Sequence, residues 1–366
     1  MKNNAKYGLR RGIIKYLTEG ILMDSKIATE ADSLAKRDNL NKLMTSKLNS
    51  FLSLQELELL FKHSKIASFP PGETLLHQGE KTNGIYIIIE GIVLVIAQIM
   101  GRGITDLEKL SPGDFITPIG FIEHCPCPTS FIASSTTTCL IIPYSYFKLL
   151  SIDYPLTQYK IVQIIAEQIY KRLKIIHGTV TTFISDSDMT SLSFFNRVIY
   201  SLNQPKKINF NDCANNVRIQ NLHLFNSFSK EEMNILCKHF VTLDTPKNCK
   251  LINEGEKNIS CYLVIYGAIQ SCVIQNNKLA KLSVIGPGRL LASTGCIAPE
   301  SIFQFTYSTC EHSILCKLTE SSLLLIKENE PQLWYKLFNL ICGSLEALKK
   351  SMDKLNIRLH IENYNR

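Results

Sequence analysis

Two stretches of this 366-residue chain are variants of one another, offset by 176 positions. Residues 69–91 read FPPGETLLHQGEKTNGIYIIIEG, and residues 245–267 read TPKNCKLINEGEKNISCYLVIYG. Gly79-Glu80-Lys81 falls on Gly255-Glu256-Lys257, Leu75 on Leu251, Tyr86 on Tyr262 and Gly91 on Gly267. Further on, Ser111-Pro112-Gly113 meets Gly286-Pro287-Gly288, and Pro155 meets Pro331. Self-similarity at a fixed spacing marks a structural unit built more than once. Whatever fold is assigned must therefore accommodate two copies of one unit.

Each copy has the same local grammar. A short helix, over 54–63 or 230–239, precedes short β-rich runs broken by Gly, Pro and Asn, the pattern of an antiparallel barrel or jelly roll. A long helix follows, opened by Pro155 or Pro331 at its first turn, where a missing N–H forfeits no helical bond. The expected fold class is α+β: two β-roll (jelly-roll-like, double-stranded β-helix) domains, each followed by a long C-terminal helix. The limits expected are a basic N-terminal segment with short helices over 1–43, a first domain over 44–183, a linker with one helix (193–202) over 184–220, and a second, degenerate domain over 221–360.

Apolar residues make up 45% and charged residues 20% of the chain, as in an ordinary globular protein. The net charge of +8 is uneven: Lys2, Lys6, Arg10, Arg11 and Lys15 occur with no acid among residues 1–15. That excess suits either a solvated tail or docking to an acidic partner, a membrane surface or a phosphate. The twelve cysteines form no C-x-x-C pair, and no secretory signal is expected. Scattered thiols of this kind pack as small hydrophobes in a reducing cytosol, so a cytoplasmic location is expected. His124, Cys125 and Cys127 lack a second ligand pair at zinc-finger spacing, and no metal is expected. The longest apolar run, over 85–99, is broken by Glu90-Gly91 and is too short to span a bilayer. With no nucleophile–base motif and no P-loop, catalysis is not expected either.

The run from Gly72 to Gly91, G-E-x-L-x-x-Q-G-E-x-x-x-x-I-Y-x-I-x-x-G, and Pro112-Gly113-Asp114-Phe115 resemble a cyclic-nucleotide-binding domain of the bacterial catabolite-activator type. The helix from Pro155, with Ala166-Glu167-Gln168 and Lys171-Arg172-Leu173, strengthens the resemblance to bacterial activators. Copy two is weaker, with Asn248 for the glycine and Glu254 for the glutamine. The resemblance implies a tight inter-strand turn at Gly79 and Gly255, and a phosphate-binding cassette beginning near Phe115.

The family's cassette reads approximately F-G-E-x-A-x-x-x-x-x-P-R-A-x-[ST], where the glutamate takes the ribose 2′-OH and the arginine pairs with the cyclic phosphate. Backbone N–H groups at a helix start complete such an anion site. Copy one has Pro118 at the glutamate position and Cys127 at the arginine position, with Ile119 and Gly120 between and Pro126 and Ser130 in agreement. Copy two has Ser293 for the glutamate. With Pro299 as the cassette proline, Glu300 stands at the arginine position, at the expense of a two-residue deletion. A phosphate without its arginine loses roughly 1.5–3 kcal/mol, ten- to a hundred-fold in affinity. The reading is that both pockets are vestigial, with cAMP or cGMP at most a weak ligand, unless the specificity has moved to another small ligand. No cofactor is expected.

Both long helices carry heptad seams. In the first, Tyr159, Val162, Ala166, Ile169, Leu173, Ile176, Val180 and Phe183 alternate at spacings of three and four. Trp334, Phe338, Ile341, Leu345, Leu348, Met352, Leu355 and Leu359 do so in the second. In bacterial activators the equivalent helix pairs with a second subunit; two such helices in one chain imply an intrachain pseudo-dimer. Residues 206–220 run directly into copy two, and seven residues follow Leu359, which leaves no room for a recognition helix, so no DNA partner is expected. The leading expectation is a non-enzymatic regulatory or sensor protein with a protein partner. The alternative is an inhibitor resembling a cAMP-dependent-kinase regulatory subunit, with Arg10, Arg11 and Ile13 in a pseudosubstrate ending at Ile14.

Overall fold

The computed structural model describes residues 34–82, 84–99, 103–116, 126–127, 129–186, 203–208, 219, 222–276 and 278–364. Arg10, Arg11 and Ile13, the helix expected over 193–202, and Pro118, Ile119, Gly120, His124 and Cys125 lie outside these residues.

Eight strands follow the first short helix: β1 (Lys65–Phe69), β2 (Thr74–Leu76), β3 (Gly84–Glu90), β4 (Val93–Ile99), β5 (Gly103–Leu110), β6 (Phe115–Ile116), β7 (Ser130–Ala133) and β8 (Thr137–Pro143). They form two sheets in the orders β1-β8-β3-β6 and β2-β7-β4-β5, with every pairing antiparallel. The chain crosses repeatedly between the sheets, which is the jelly-roll path.

After β9 (Lys206–Lys207) come β10 (Val241–Thr245), β11 (Lys250–Ile252), β12 (Cys261–Tyr266), β13 (Ile269–Gln275), β14 (Lys278–Ile285), β15 (Leu290–Ala292), β16 (Thr306–Thr309) and β17 (Ser313–Leu318). Their sheets, β10-β17-β12-β15 and β11-β16-β13-β14, repeat the first pattern strand for strand.

The helices are α1 (34–44), α2 (Leu54–Lys62), α3 (Tyr144–Asp153), α4 (Pro155–Asp186), α5 (Lys230–His239), α6 (Glu320–Asn329) and α7 (Pro331–Tyr364). Ser53 caps α2 in a capping box with Glu56, and Ser229 caps α5 in the same way with Glu232; a cap of this kind contributes about 1 kcal/mol. The two glutamates have a second task. Glu56 takes Lys160 Nζ at 2.8 Å, and Glu232 takes Lys336 Nζ at 2.7 Å. Each short helix is thereby fastened to the start of a long one. Burial pushes the Glu56 carboxyl up, but hydrogen bonds from Lys160 and Ser53 outweigh it and hold the group below its usual range.

The repeated glycines have a backbone reason. Gly79 and Gly255 sit at φ +87° and +89°, where a side chain would be strained. At the position of Gly72, φ +85°, copy two has Asn248 at φ +59°, and asparagine tolerates that region better than most residues.

Two elements lie across the expected limits. Leu43 of α1 is fully buried in the main apolar core, and Lys42 of α1 pairs with Glu90 of β3 at 2.8 Å. Lys206 and Lys207, assigned to the linker, pair with Asp244 and Leu243 as an edge strand of the second set. One apolar core runs from the first strands through α4 and α7 into the second set, while a smaller core of Leu75, Val93, Phe131 and their neighbours fills the first sandwich.

Candidate functional site

The site is built around α4 and α7. Ile169, Leu173 and Ile176 on α4, and Ile341, Leu345, Leu348 and Met352 on α7, are all buried. Near the start of both helices Trp334 Nε1 donates to Tyr159 Oη at 2.9 Å, with Phe338 edge-on to Tyr159 and Tyr335 stacked on it. Further along both, Arg172 meets Asp353. Contacts that advance in the same direction along both helices make the pair parallel. The end of α4 then reaches the second strand set, where Lys278 Nζ donates to Ser185 O at 2.7 Å.

In the first barrel the Gly79–Glu80 turn is bound to Cys127 through two backbone bonds. Gly79 N donates to Cys127 O, and Cys127 N to Glu80 O, both at 2.8 Å. The Cys127 side chain is buried in the smaller core, and burial, with the Glu80 charge, pushes its thiol up to about 11. It is a neutral core group. Ser130 Oγ accepts from Gln78 N at 2.8 Å, and Pro126 is exposed. Phe115, on the outer edge of β6, is gripped by the Gln168 carboxamide, which accepts from its N–H and donates to its C=O, both at 2.9 Å.

The second barrel corrects the expected alignment. Gly255 N donates to Phe303 O at 2.8 Å, and Phe303 N to Glu256 O at 2.9 Å. Phe303 is therefore the counterpart of Cys127, at the full 176 offset and without a deletion. Glu300 is not at that position: its side chain is 91% exposed and pairs with Lys257 at 2.7 Å. Pro299 is exposed beside it. Ser293 is buried, and its hydroxyl donates to Asn258 O at 2.5 Å, so it staples a turn.

Phe303, Phe305 and Tyr307 alternate along the chain, and all three are buried. Phe303 and Phe305 lie in the irregular segment that leads into β16, and Tyr307 lies on that strand. Their rings interlock, with Phe303 5.5 Å from both Phe305 and Tyr307. His177, from α4, stands edge-on to Phe305 at 5.6 Å and lies 3.3 Å from Glu254. Complete burial pushes the Tyr307 hydroxyl far up, so it stays neutral.

Against the first barrel lies a buried charge cluster. Arg172, 6% exposed, pairs with Glu108 on β5 and with Asp353 on α7. Lys349 lies 3.2 Å from Asp353 and 3.7 Å from the fully buried Glu346. Burial holds the Glu108 carboxyl above its usual range despite the attraction of Arg172 and Lys349. The cluster ties barrel, α4 and α7 together. Sequence reasoning missed it, although Glu346, Lys349 and Asp353 inside an otherwise apolar heptad pattern were a visible signal. Among the described residues, no group of three His, Cys, Asp or Glu side chains is placed to hold a metal, and no helix is long and apolar enough to cross a membrane.

Residues 66–152 match the cyclic nucleotide-binding domain family. Over 92 residues, 25% of the chain, the sequence is 33% identical to the cAMP-activated global transcriptional regulator CRP of Salmonella typhimurium and to that of Pasteurella multocida. These matches cover 43% and 44% of those proteins, so the chain spans less than half the length of the curated relatives it matches. Among solved structures, a cyclic nucleotide-binding domain from Methylobacillus flagellatus is similar at 22% identity and a TM-score of 0.34, covering 38% of this chain and 81% of that one. The regulatory domain of Toxoplasma gondii PKA with cAMP is similar at 12% identity and a TM-score of 0.30, covering 83% and 95%. It is the first strand set, with the α3 helix that follows it, that carries the match to the cyclic nucleotide-binding domain family.

Proposed function

We propose that the chain is a non-enzymatic regulatory protein in which two β-roll domains form an intrachain pseudo-dimer that acts as a scaffold for a protein partner. Neither barrel is a cyclic-nucleotide sensor of the strength its relatives' names imply. The observation that supports this reading is the buried cluster of Phe303, Phe305 and Tyr307 in the second strand set, with His177 of α4 edge-on to Phe305. A cyclic phosphate entering there would displace buried aromatic surface, and Phe303 stands at the counterpart of Cys127, where the resemblance expects the arginine. On the first barrel's side, Arg172 is already engaged by Glu108 and Asp353.

Thermal melting with 1 mM cAMP or cGMP tests this. A site with a dissociation constant of about 1 μM would add about 4 kcal/mol, raising the melting temperature by about 5 °C in a chain of this length. The expected shift is under about 1 °C with either nucleotide; a rise near the larger figure overturns the reading.

A further inference from the structure

A cavity of about 610 Å³ lies between the second barrel and α7, lined by Leu290, Ser283, Arg289, Tyr307, Ser344 and Leu348 among others. None of the cassette residues 293–301 lines it. The first barrel shows why it is open. Aligning β14 with β5 and α7 with α4 puts Ser344 where Gln168 stands, Ser283 where Glu108 stands and Leu348 where Arg172 stands. In the first copy the carboxamide and the ion pair fill this space; in the second, small or apolar side chains leave it vacant.

What Gln168 grips in the first copy is also present in the second. β15 is the edge of its sheet. Val264 N bonds Arg289 O, and Ser293 N bonds Ser260 O. The alternation of an antiparallel ladder then turns the N–H and C=O of Leu290 away from β12 and toward α7. The counterpart Phe115 presents the same two groups to Gln168. Ser344 cannot replace that side chain, because its hydroxyl is turned back onto Ile341 O at 3.0 Å. Among the described residues none bonds the outward N–H and C=O of Leu290, although Leu290 is only 7% exposed. Buried backbone groups of this kind call for a partner. At the rim, Arg289 has no ion-pair partner among the described residues, whereas its counterpart Asp114 is held by Lys47.

We propose that this cavity is a ligand site for a small molecule that presents a carboxamide or lactam edge to Leu290 and an anionic group to Arg289. The edge supplies the donor and acceptor that Gln168 supplies in the first copy, with N–H and C=O side by side. The site shares Tyr307 with the aromatic cluster of the second barrel but none of the cassette residues 293–301.

Calorimetry on the full chain with uracil, a neutral lactam, and orotate, its carboxylate, tests the proposal. Both are expected to bind, orotate about tenfold tighter, as befits one added charge-assisted bond. Ser344→Gln should weaken both by at least about tenfold, as its own carboxamide takes the edge, while melting no lower than the parent. Arg289→Ala should abolish the advantage of orotate and leave uracil unchanged. If Ser344→Gln does not fold, Ala347→Leu, which fills the same space, takes its place and should likewise lose binding. The proposal is overturned if neither compound binds the parent at 1 mM, or if binding survives the filled variant. It is also overturned if N-acetylalanine methylamide binds tighter than both, which would indicate a peptide strand instead.

Discussion

Arg172→Leu removes the positive charge at the centre of the buried cluster while keeping much of the side chain's apolar bulk. Arg172 and Asp353 are 6% and 7% exposed and stand 3.7 Å apart. At an effective dielectric constant near 20, a pair at that distance attracts by about 4 kcal/mol. In the parent this offsets a desolvation penalty of several kcal/mol per ion. The variant keeps the penalty of the acids and loses the compensation from Arg172, while Lys349 stays paired with Glu346 and Asp353. Breaking a buried pair in this way costs about 3–5 kcal/mol. With an unfolding entropy of about 2.1 cal/mol/K per residue, the melting temperature should fall by about 4–7 °C. Scanning calorimetry reads this directly. Arg172→Leu combined with Asp353→Leu should recover part of the loss, because the second change removes a stranded charge. A single variant melting within about 1 °C of the parent would refute the reasoning.

Three further outcomes are expected. Leu173→Asp and Leu348→Asp each bury an unpaired charge in the helix seam and should lower stability by roughly 3 kcal/mol or more in denaturant titrations; parent-like midpoints for both would remove the case for intrachain pairing. Phe305→Ala opens a void among Phe303, Tyr307 and His177 and should cost about 3–5 kcal/mol by the same titration. Glu108 is held above the ordinary carboxylate range, so the folded state keeps its proton where the unfolded state has lost it. Its stabilising share is full below the ordinary carboxylate value and is lost as pH rises through its own raised value. Melting profiles between roughly pH 4 and 7 should therefore decline less with rising pH in Glu108→Gln than in the parent.

The features read most easily from sequence were those in which a local signal and its partner lie close along the chain. The heptad pattern named Leu173 and Leu348 because burial of a helix stripe follows directly from its spacing. The Pro155 and Pro331 starts, and the turns at Gly79 and Gly255, are backbone requirements written in single residues. The cassette of the second copy went wrong for a specific reason. A short proline-plus-one pattern was allowed to override the 176 offset, and it selected Glu300 on the surface instead of Phe303 in the barrel. The charge cluster was out of reach in a different way. Glu108, Arg172 and Asp353 belong to a strand and two helices far apart in the chain, and only the parallel helix packing brings them together. Gln168 likewise looks like an ordinary polar helix residue until the edge of β6 is placed beside it.

The central claim is the proposal that neither barrel binds a cyclic nucleotide with useful strength. Calorimetric titration of the parent with cAMP and then cGMP measures this most directly. The account predicts no saturable heat up to about 100 μM, because a phosphate denied its arginine forfeits ten- to a hundred-fold in affinity for that loss alone. Sub-micromolar binding of either nucleotide, at a stoichiometry of one or two per chain, would contradict it.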